Sequence, residues 1–319
     1  MTKPLVSVII PVKNGLFYLK EVFEGIFSQK TDFVYEVIVV DSGSTDGSLE
    51  LTKNYPIKLL KILPHEFNHG ATRNFAIEQS TGEFAVLITH DATPANSSWL
   101  QNLVEPLIKN TELAGAYGRH IARPHEDPIV EYGLKDHFYR MSLKSPPIWS
   151  KDADYEVRKG EYIFFSNNNS CLRRSVWEKI RFRRTEMAED QQWAEDILEA
   201  GFQKAYINDA VVMHSHSYPA REWLRRSFDE YRSYLGLGLV VKRGLRVTIK
   251  NALWLWRNDL RILKKLPASN LYRIQWGVRR FFIDWAIAFG QYFGTNFDKM
   301  PETFLGFFSM QLRNKRAVR

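Results

Sequence analysis

Near-continuous apolar runs alternate with helically spaced segments through the first part of the chain. The runs Val6-Ser7-Val8-Ile9-Ile10-Pro11, Glu36-Val37-Ile38-Val39-Val40-Asp41 and Phe84-Ala85-Val86-Leu87-Ile88-Thr89 read as strands, with a weaker strand over 59–63. Helical spacing covers 19–28, 48–54, 72–79 and 99–109. Strands apolar on both faces, alternating with helices, predict an α/β fold with a mostly parallel sheet covered on both sides. Ligands of such sheets bind beyond the carboxyl ends of the strands. The polar residues placed there are therefore the first candidates for chemistry.

Further along, 118–160 shows no clear period and holds His120, Arg123, His125 and the Pro146-Pro147 pair. It predicts loops and short helices over the site. A strand is expected over 162–165, a helix over 191–200 stopped by Gly201, and short strands over 204–207 and 210–213. From 221 onward the spacing is helical, punctuated by Pro219, Pro267 and Pro301. Two domains follow: an α/β domain over 1–218 and a helical region over 219–319.

Charge separates the same two parts. Residues 219–319 hold 20 of the 44 Lys and Arg but only 7 of the 36 Asp and Glu, so this region is +13 and the rest of the chain −5. The helical region also holds five of the nine tryptophans. Aromatic, cationic helices suit a membrane interface; packing on the catalytic body or a homodimer interface are the alternatives. A basic pI raises nucleic-acid binding as a rival, but the acidic body and the lack of a nucleic-acid motif weigh against it. One cysteine, Cys171, excludes an internal disulfide framework. The N-terminus lacks the features of a secretory signal, and no apolar stretch reaches the length of a spanning helix. A cytoplasmic protein, peripheral at most to the inner face of the membrane, is expected.

Candidate chemistry clusters at predicted strand and helix ends. Asp41 follows a strand and precedes Ser42-Gly43-Ser44; it either accepts hydrogen bonds from a ligand or forms a turn that caps the helix starting near Asp46. His69-Gly70-Ala71-Thr72-Arg73-Asn74 opens a helix, where free N–H groups and a guanidinium suit an anion, or where an ordinary cap sits. Asp91, in Thr89-His90-Asp91, either binds a hard cation or turns the chain. Glu189-Asp190 begins a helix, as caps or with one acting as general base. His214-Ser215-His216 supplies metal ligands or a polar loop. Ser166-Asn167-Asn168-Asn169-Ser170 offers groups that suit sugar hydroxyls, or is a polar turn.

In this order, these pieces resemble glycosyltransferase family 2, which has the GT-A fold. The resemblance covers roughly 5–218 and rests on the runs 7–14 and 39–47, the Gly70–Asn74 segment, Asp91 and Glu189-Asp190. It implies a nucleotide held by Pro11, Asn14, Asp41 and the Ser42-Gly43 turn, with Arg73 near the diphosphate. It implies Asp91 as a ligand of Mg²⁺ or Mn²⁺, completed by His214 or His216, and Asp190 as the base of an inverting transfer. The first acid of the family's Asp-x-Asp motif is replaced by Thr89. The segments Phe67–Asn74 and Thr89-His90-Asp91-Ala92 look like the rhamnosyltransferase branch. That branch implies dTDP-L-rhamnose as donor and a bacterial surface glycan, such as O-antigen or capsule and often lipid-linked, as acceptor. The alternatives are a UDP-sugar donor, or a non-catalytic glycan-binding protein on a degenerate transferase fold.

Overall fold

The computed structural model describes residues 3–185 and 187–310. The chain groups into two compact units: one of residues 1–124, 134–185 and 189–215, the other of 125–133, 186–188 and 216–319.

The first unit is built on one twisted sheet. In chain order its elements are β1 (Val6–Val12), α1 (Leu16–Phe27), β2 (Tyr35–Asp41), α2 (Ser48–Thr52), β3 (Ile57–Lys61), α3 (His69–Glu78), β4 (Phe84–Ile88), β5 (Thr93–Pro94), α4 (Trp99–Lys109) and β6 (Leu113–Ile121). After α5 (Pro128–Ser142) come β7 (Ile148–Trp149), α6 (Lys159–Tyr162), β8 (Asn169–Arg173), α7 (Arg174–Trp177), α8 (Glu189–Glu199) and β9 (Gln203–Met213). The sheet order is β3-β2-β1-β4-β8-β6-β9-β5, with β7 also against β9.

The first four strands are parallel, and the apolar runs of β1, β2 and β4 are buried, as the unbroken β-branched pattern predicts, while β3 at the sheet edge is half-buried to exposed. α1 and α4 cover the sheet with Leu19, Val22, Phe23, Ile26, Trp99, Leu103 and Leu107. β8 enters antiparallel between β4 and β6, so β6 runs the same way as β4, and β9 runs parallel to β6. Consequently β1, β2, β4, β6 and β9 all end at one edge of the sheet, and Ile88 of β4 pairs with Asn169 at the start of β8.

Several expectations are corrected here. The segment 118–160 is not mainly loop: it contains the end of β6 and the fifteen-residue α5. Polar residues interrupt the periodicity of α5, which hides it. The strand expected over 162–165 is absent; helix α6 ends at Tyr162 and the strand lies later, over the Asn-rich stretch. Asn169 is fully buried inside the first unit. It accepts from Trp99 Nε1 at 2.8 Å and donates to the Ala210 carbonyl at 2.8 Å. It is a core hydrogen-bonding residue, not a contact for sugar hydroxyls. The two short strands expected over 204–213 form the single β9, bent by a register shift against β6.

The second unit is helical as far as it is described: α9 (Ala220–Gly236), α10 (Leu245–Lys265), α11 (Asn270–Thr295) and α12 (Glu302–Phe308). α9 and α11 touch backbone to backbone. A Cβ at Gly290 would lie 2.3 Å from the Leu224 carbonyl oxygen, and one at Gly294 would lie 2.5 Å from that of Phe228. Arg280 is buried among three carboxylates, 2.7 Å from Asp259, 2.6 Å from Asp284 and 3.3 Å from Asp127. Among the described residues, no helix is long and apolar enough to cross a membrane.

Candidate active site

Asp41, Asp91, Asp190 and His214 all lie at or just beyond the sheet edge where β1, β2, β4, β6 and β9 end. Asp41, Asp91 and His214 each follow a strand whose carboxyl end is there, whereas Asp190, at the start of α8, is held there by the Asn167 N–H just before β8 begins.

The β2–α2 loop closes over the start of α1. Asn14 adopts φ +50°, a left-handed backbone that Asn tolerates well. Its side chain accepts from Thr45 N at 2.8 Å, and its own N–H donates to Ser44 Oγ at 2.9 Å. Asp46 accepts from Leu16 N at 2.9 Å. Asp41 is buried, and its carboxylate accepts from Gly43 N at 2.9 Å and Ser44 N at 3.2 Å. It therefore shapes the turn; the α2 cap position is taken by Gly47. Gly43 is required there: φ is +90°, and a Cβ would lie 2.5 Å from Pro64 Cγ. Pro11 sits within β1 opposite Val40.

At the start of α3 the chain occupies the expected anion site with its own groups. Asn68 caps the helix by accepting from Ala71 N at 3.1 Å. Gly70 lets the helix approach the neighbouring chain, since a Cβ would lie 2.2 Å from the Arg183 carbonyl oxygen. Arg73 is almost wholly buried and pairs with Glu189 at 2.9 Å. The guanidinium is thus committed to Glu189 rather than presented at an open surface for a diphosphate.

That pair divides the two adjacent acids. Glu189 accepts from both Arg73 and Asn167 Nδ2. Burial alone would raise its pKa, but the Arg73 charge, with lesser help from His69 and Asn167, brings it below the usual value. Asp190 is half-buried and accepts N–H groups, from Asn167 at 3.2 Å and from Gln191 at 2.8 Å. Burial, and next the neighbouring Glu189 charge, push its carboxyl up to about 7. Environments that drive two carboxyls apart mark one as a fixed charge and the other as a proton carrier. Arg73→Ala would leave Glu189 charged and unpaired in the interior. The expected loss is about 3–5 kcal/mol of stability, read from the midpoint of denaturant unfolding.

A second cluster forms where β4, β6 and β9 end. Asp91 Oδ1 lies 3.6 Å from His214 Nε2. One ligand atom from each of Asp91, His214 and His216 lies within 4.8 Å of the others. Arg123 holds this turn by donating to the Asp91 carbonyl and to Thr93 Oγ1, both at 2.9 Å, while pairing with Glu21 at 3.0 Å. His120 stacks edge-on against His214 with ring centroids 5.4 Å apart. Burial, then the nearby His214 and His137, hold His120 well below the usual histidine range, so it is neutral. His90, within the Thr89-His90-Asp91 motif, packs over Gly15.

The donor set fits a divalent ion. It offers a carboxylate oxygen and two imidazoles, which are ligands for first-row divalent metals. The Asp91–His214 gap is within the roughly 4 Å that two ligands about 2 Å from a shared ion can span. The hydroxyl of Thr89, which stands where the motif has an acid, is buried with no hydrogen-bond partner.

The decisive comparison is with a family model: that of glycosyl transferase family 2 matches residues 7–181. The chain belongs to glycosyl transferase family 2. It is a glycosyltransferase with the GT-A fold. It is 34% identical to the O-antigen chain rhamnosyltransferase RfbN of Salmonella typhimurium over 70% of each chain. It is 31% identical to the O-antigen chain rhamnosyltransferase WbaN of Salmonella anatum over 71% of each. The mannosyltransferase PcManGT of Pyrobaculum calidifontis, solved with GDP-Man and Mn²⁺, shares the fold. Its TM-score is 0.60 at 18% identity, covering 94% of this chain and 89% of that one. The family match ends before Glu189, Asp190 and His214, so the roles of these glycosyltransferase residues rest on their geometry.

Two contributors escaped the sequence. Asn167 joins Asp190 to Glu189, and Arg123 fixes the Asp91 turn. Both were visible only as polar residues in irregular segments, and no spacing signals a partner so far along the chain.

Proposed function

We propose that the chain is an inverting, divalent-metal-dependent rhamnosyltransferase. It moves L-rhamnose from dTDP-L-rhamnose to a hydroxyl of a lipid-linked bacterial surface glycan. The observation that carries the mechanism is the split between Glu189, held ionised by Arg73, and Asp190, pushed up to about 7 at the edge of the sheet. The donor and acceptor are supported by the names of the two Salmonella relatives and by the Thr89-His90-Asp91-Ala92 motif.

Asp190 takes the proton of the acceptor hydroxyl as that oxygen attacks the anomeric carbon from the face opposite the diphosphate. The single displacement inverts the configuration. The N–H of Asn167 aims the carboxylate, and Glu189 keeps Asp190's proton affinity high. Asp91 and His214, with His216, would hold the divalent ion. When bound, the ion supplies Lewis-acid stabilisation of the departing diphosphate. The Asp41 turn and Asn14 shape the wall for the nucleotide, with Pro11 beneath it. Arg73 acts on Glu189 rather than on phosphate, a shift from the role the family resemblance implies.

The test is thermal denaturation with a panel of nucleotide sugars, with and without Mg²⁺ or Mn²⁺. Binding to the native state at about 100 Kd adds about 2.7 kcal/mol, which raises Tm by several degrees in a protein of this size. A metal-dependent rise with dTDP-rhamnose is expected. A rise with a UDP-sugar alone would overturn the donor and leave the chemistry standing.

A further inference from the structure

The two histidines of the metal cluster alternate with two serines, His214-Ser215-His216-Ser217, in the irregular stretch between β9 and α9. Their contacts alternate as well, as they do along an extended chain. The histidines meet Asp91, and the serines reach the loop between β6 and α5. Ser215 is buried, and its Oγ accepts from Arg123 N at 2.9 Å. Ser217 Oγ accepts from Asp127 N at 2.9 Å and donates to Glu126. One step earlier, His214 N donates to the Ile121 carbonyl at 3.0 Å and so continues the β6–β9 ladder. The stretch is therefore tied down on both sides of His216. The post that Ser217 is tied to is itself fixed. Asp127 is buried; its Oδ1 accepts from Ile129 N at 2.9 Å in the first turn of α5, and its Oδ2 pairs with Arg280 at 3.3 Å. Tyr218 adds a hold on the ring of His216, with centroids 5.0 Å apart and planes 17° apart.

We propose that Ser215 and Ser217 are positioning residues of the metal site, fastening the backbone beside His214 and His216 so that both imidazoles stand ready for the ion. The inference rests on the metal reading given above. A His-x-His pair on a free loop would lose backbone and side-chain freedom on closing around an ion, and that loss would weaken the affinity. The serines move the loss to the folding step, so the ligands are placed beside Asp91 before the ion arrives. Serine suits the task because one short side chain both accepts and donates, as Ser217 does between Asp127 and Glu126. The serines act through the histidines rather than on the ion.

The test is titration of Mn²⁺ alone into the full chain, followed through the electron paramagnetic resonance signal of the free ion. It uses no sugar nucleotide, so its outcome is independent of the donor proposed above. The unaltered chain should bind Mn²⁺, and His214→Ala should weaken that binding. Changes just outside the ligand set typically cost about 10–100-fold in metal affinity. Ser215→Ala and Ser217→Ala should therefore each weaken Mn²⁺ binding by about ten-fold. Ser217→Thr, which keeps the hydroxyl, should bind as the parent does. Tm without metal is read alongside. Serines that serve only the stability of the loop would lower Tm and leave Mn²⁺ affinity unchanged. That result, full affinity in both alanine variants, or a Ser217→Thr as weak as Ser217→Ala would each overturn the inference. A parent that binds no Mn²⁺, or binding that His214→Ala leaves intact, would remove the metal site and the inference with it, which tells that failure apart from one of the serines alone.

Discussion

Asp190→Asn lowers kcat by about 10²–10⁴-fold, the range a positioned general base contributes, while nucleotide affinity stays within a few-fold of the original. In the mechanism proposed above, the unaltered enzyme needs Asp190 as carboxylate. Its kcat/KM therefore climbs with rising pH through about 7 and then levels off, and the asparagine variant lacks this limb. Stability provides the control. A carboxyl whose pKa is raised on folding binds its proton more tightly in the native state. Its contribution to stability thus falls as pH rises from the usual carboxylate range through about 7. Removing the ionisable group removes that penalty, so the variant should melt no lower than the parent above about pH 7. Parallel loss of activity, nucleotide binding and Tm would make Asp190 a structural residue and leave the base unassigned.

Asp91→Ala should cost about 10²–10³-fold in transfer. An ion bound there is worth several kcal/mol to the developing diphosphate charge, and each 1.4 kcal/mol is about ten-fold in rate. The diagnostic measurement is donor affinity against Mn²⁺ concentration. The parent should bind donor more tightly as metal is added and lose that gain with EDTA; the variant should show neither response. His214→Ala should fall between the two, because Asp91 and the adjoining His216 remain. An EDTA response unchanged in Asp91→Ala would exclude this carboxylate as a ligand. Arg123 gives a further check on the Asp91 result. It holds the turn through the Asp91 carbonyl, which the substitution keeps, so a loss of activity reports on the carboxylate and not on the loop.

The run of Val and Ile before Asp41 shows how local physics writes the fold into the chain. A strand buried on both faces must be apolar at every position, so β1, β2 and β4 were readable to within a residue or two. Gly201, with φ +85°, ends α8 because a left-handed C-terminal residue favours glycine. The helical character of the chain beyond Pro219 followed from spacing alone. By contrast, α5 was hidden by polar positions along its length, and β8 by the asparagines that the core demands for hydrogen bonding.

The site divides in the same way. Asp41 and Asp91 were nameable as candidates because each follows a strand, where ligands of parallel sheets bind, and Asp190 because the family resemblance marks the acid pair that begins a helix. The partners were not nameable. Arg73 reads as an anion-binding residue beside a helix start, yet it is sealed against Glu189, more than a hundred residues away. Gly70 reads as a gap for a ligand, yet it admits the Arg183 carbonyl. The sequence by itself determined β1, β2 and β4, the helical character beyond Pro219, the family and the candidate acids, because those depend on periodicity and on short motifs. Only the tertiary structure decided which of the two adjacent acids is held low in pKa and which is raised, and which cation neutralises which carboxylate. Those properties depend on burial and on distances across the fold, which residues far apart in the chain do not record.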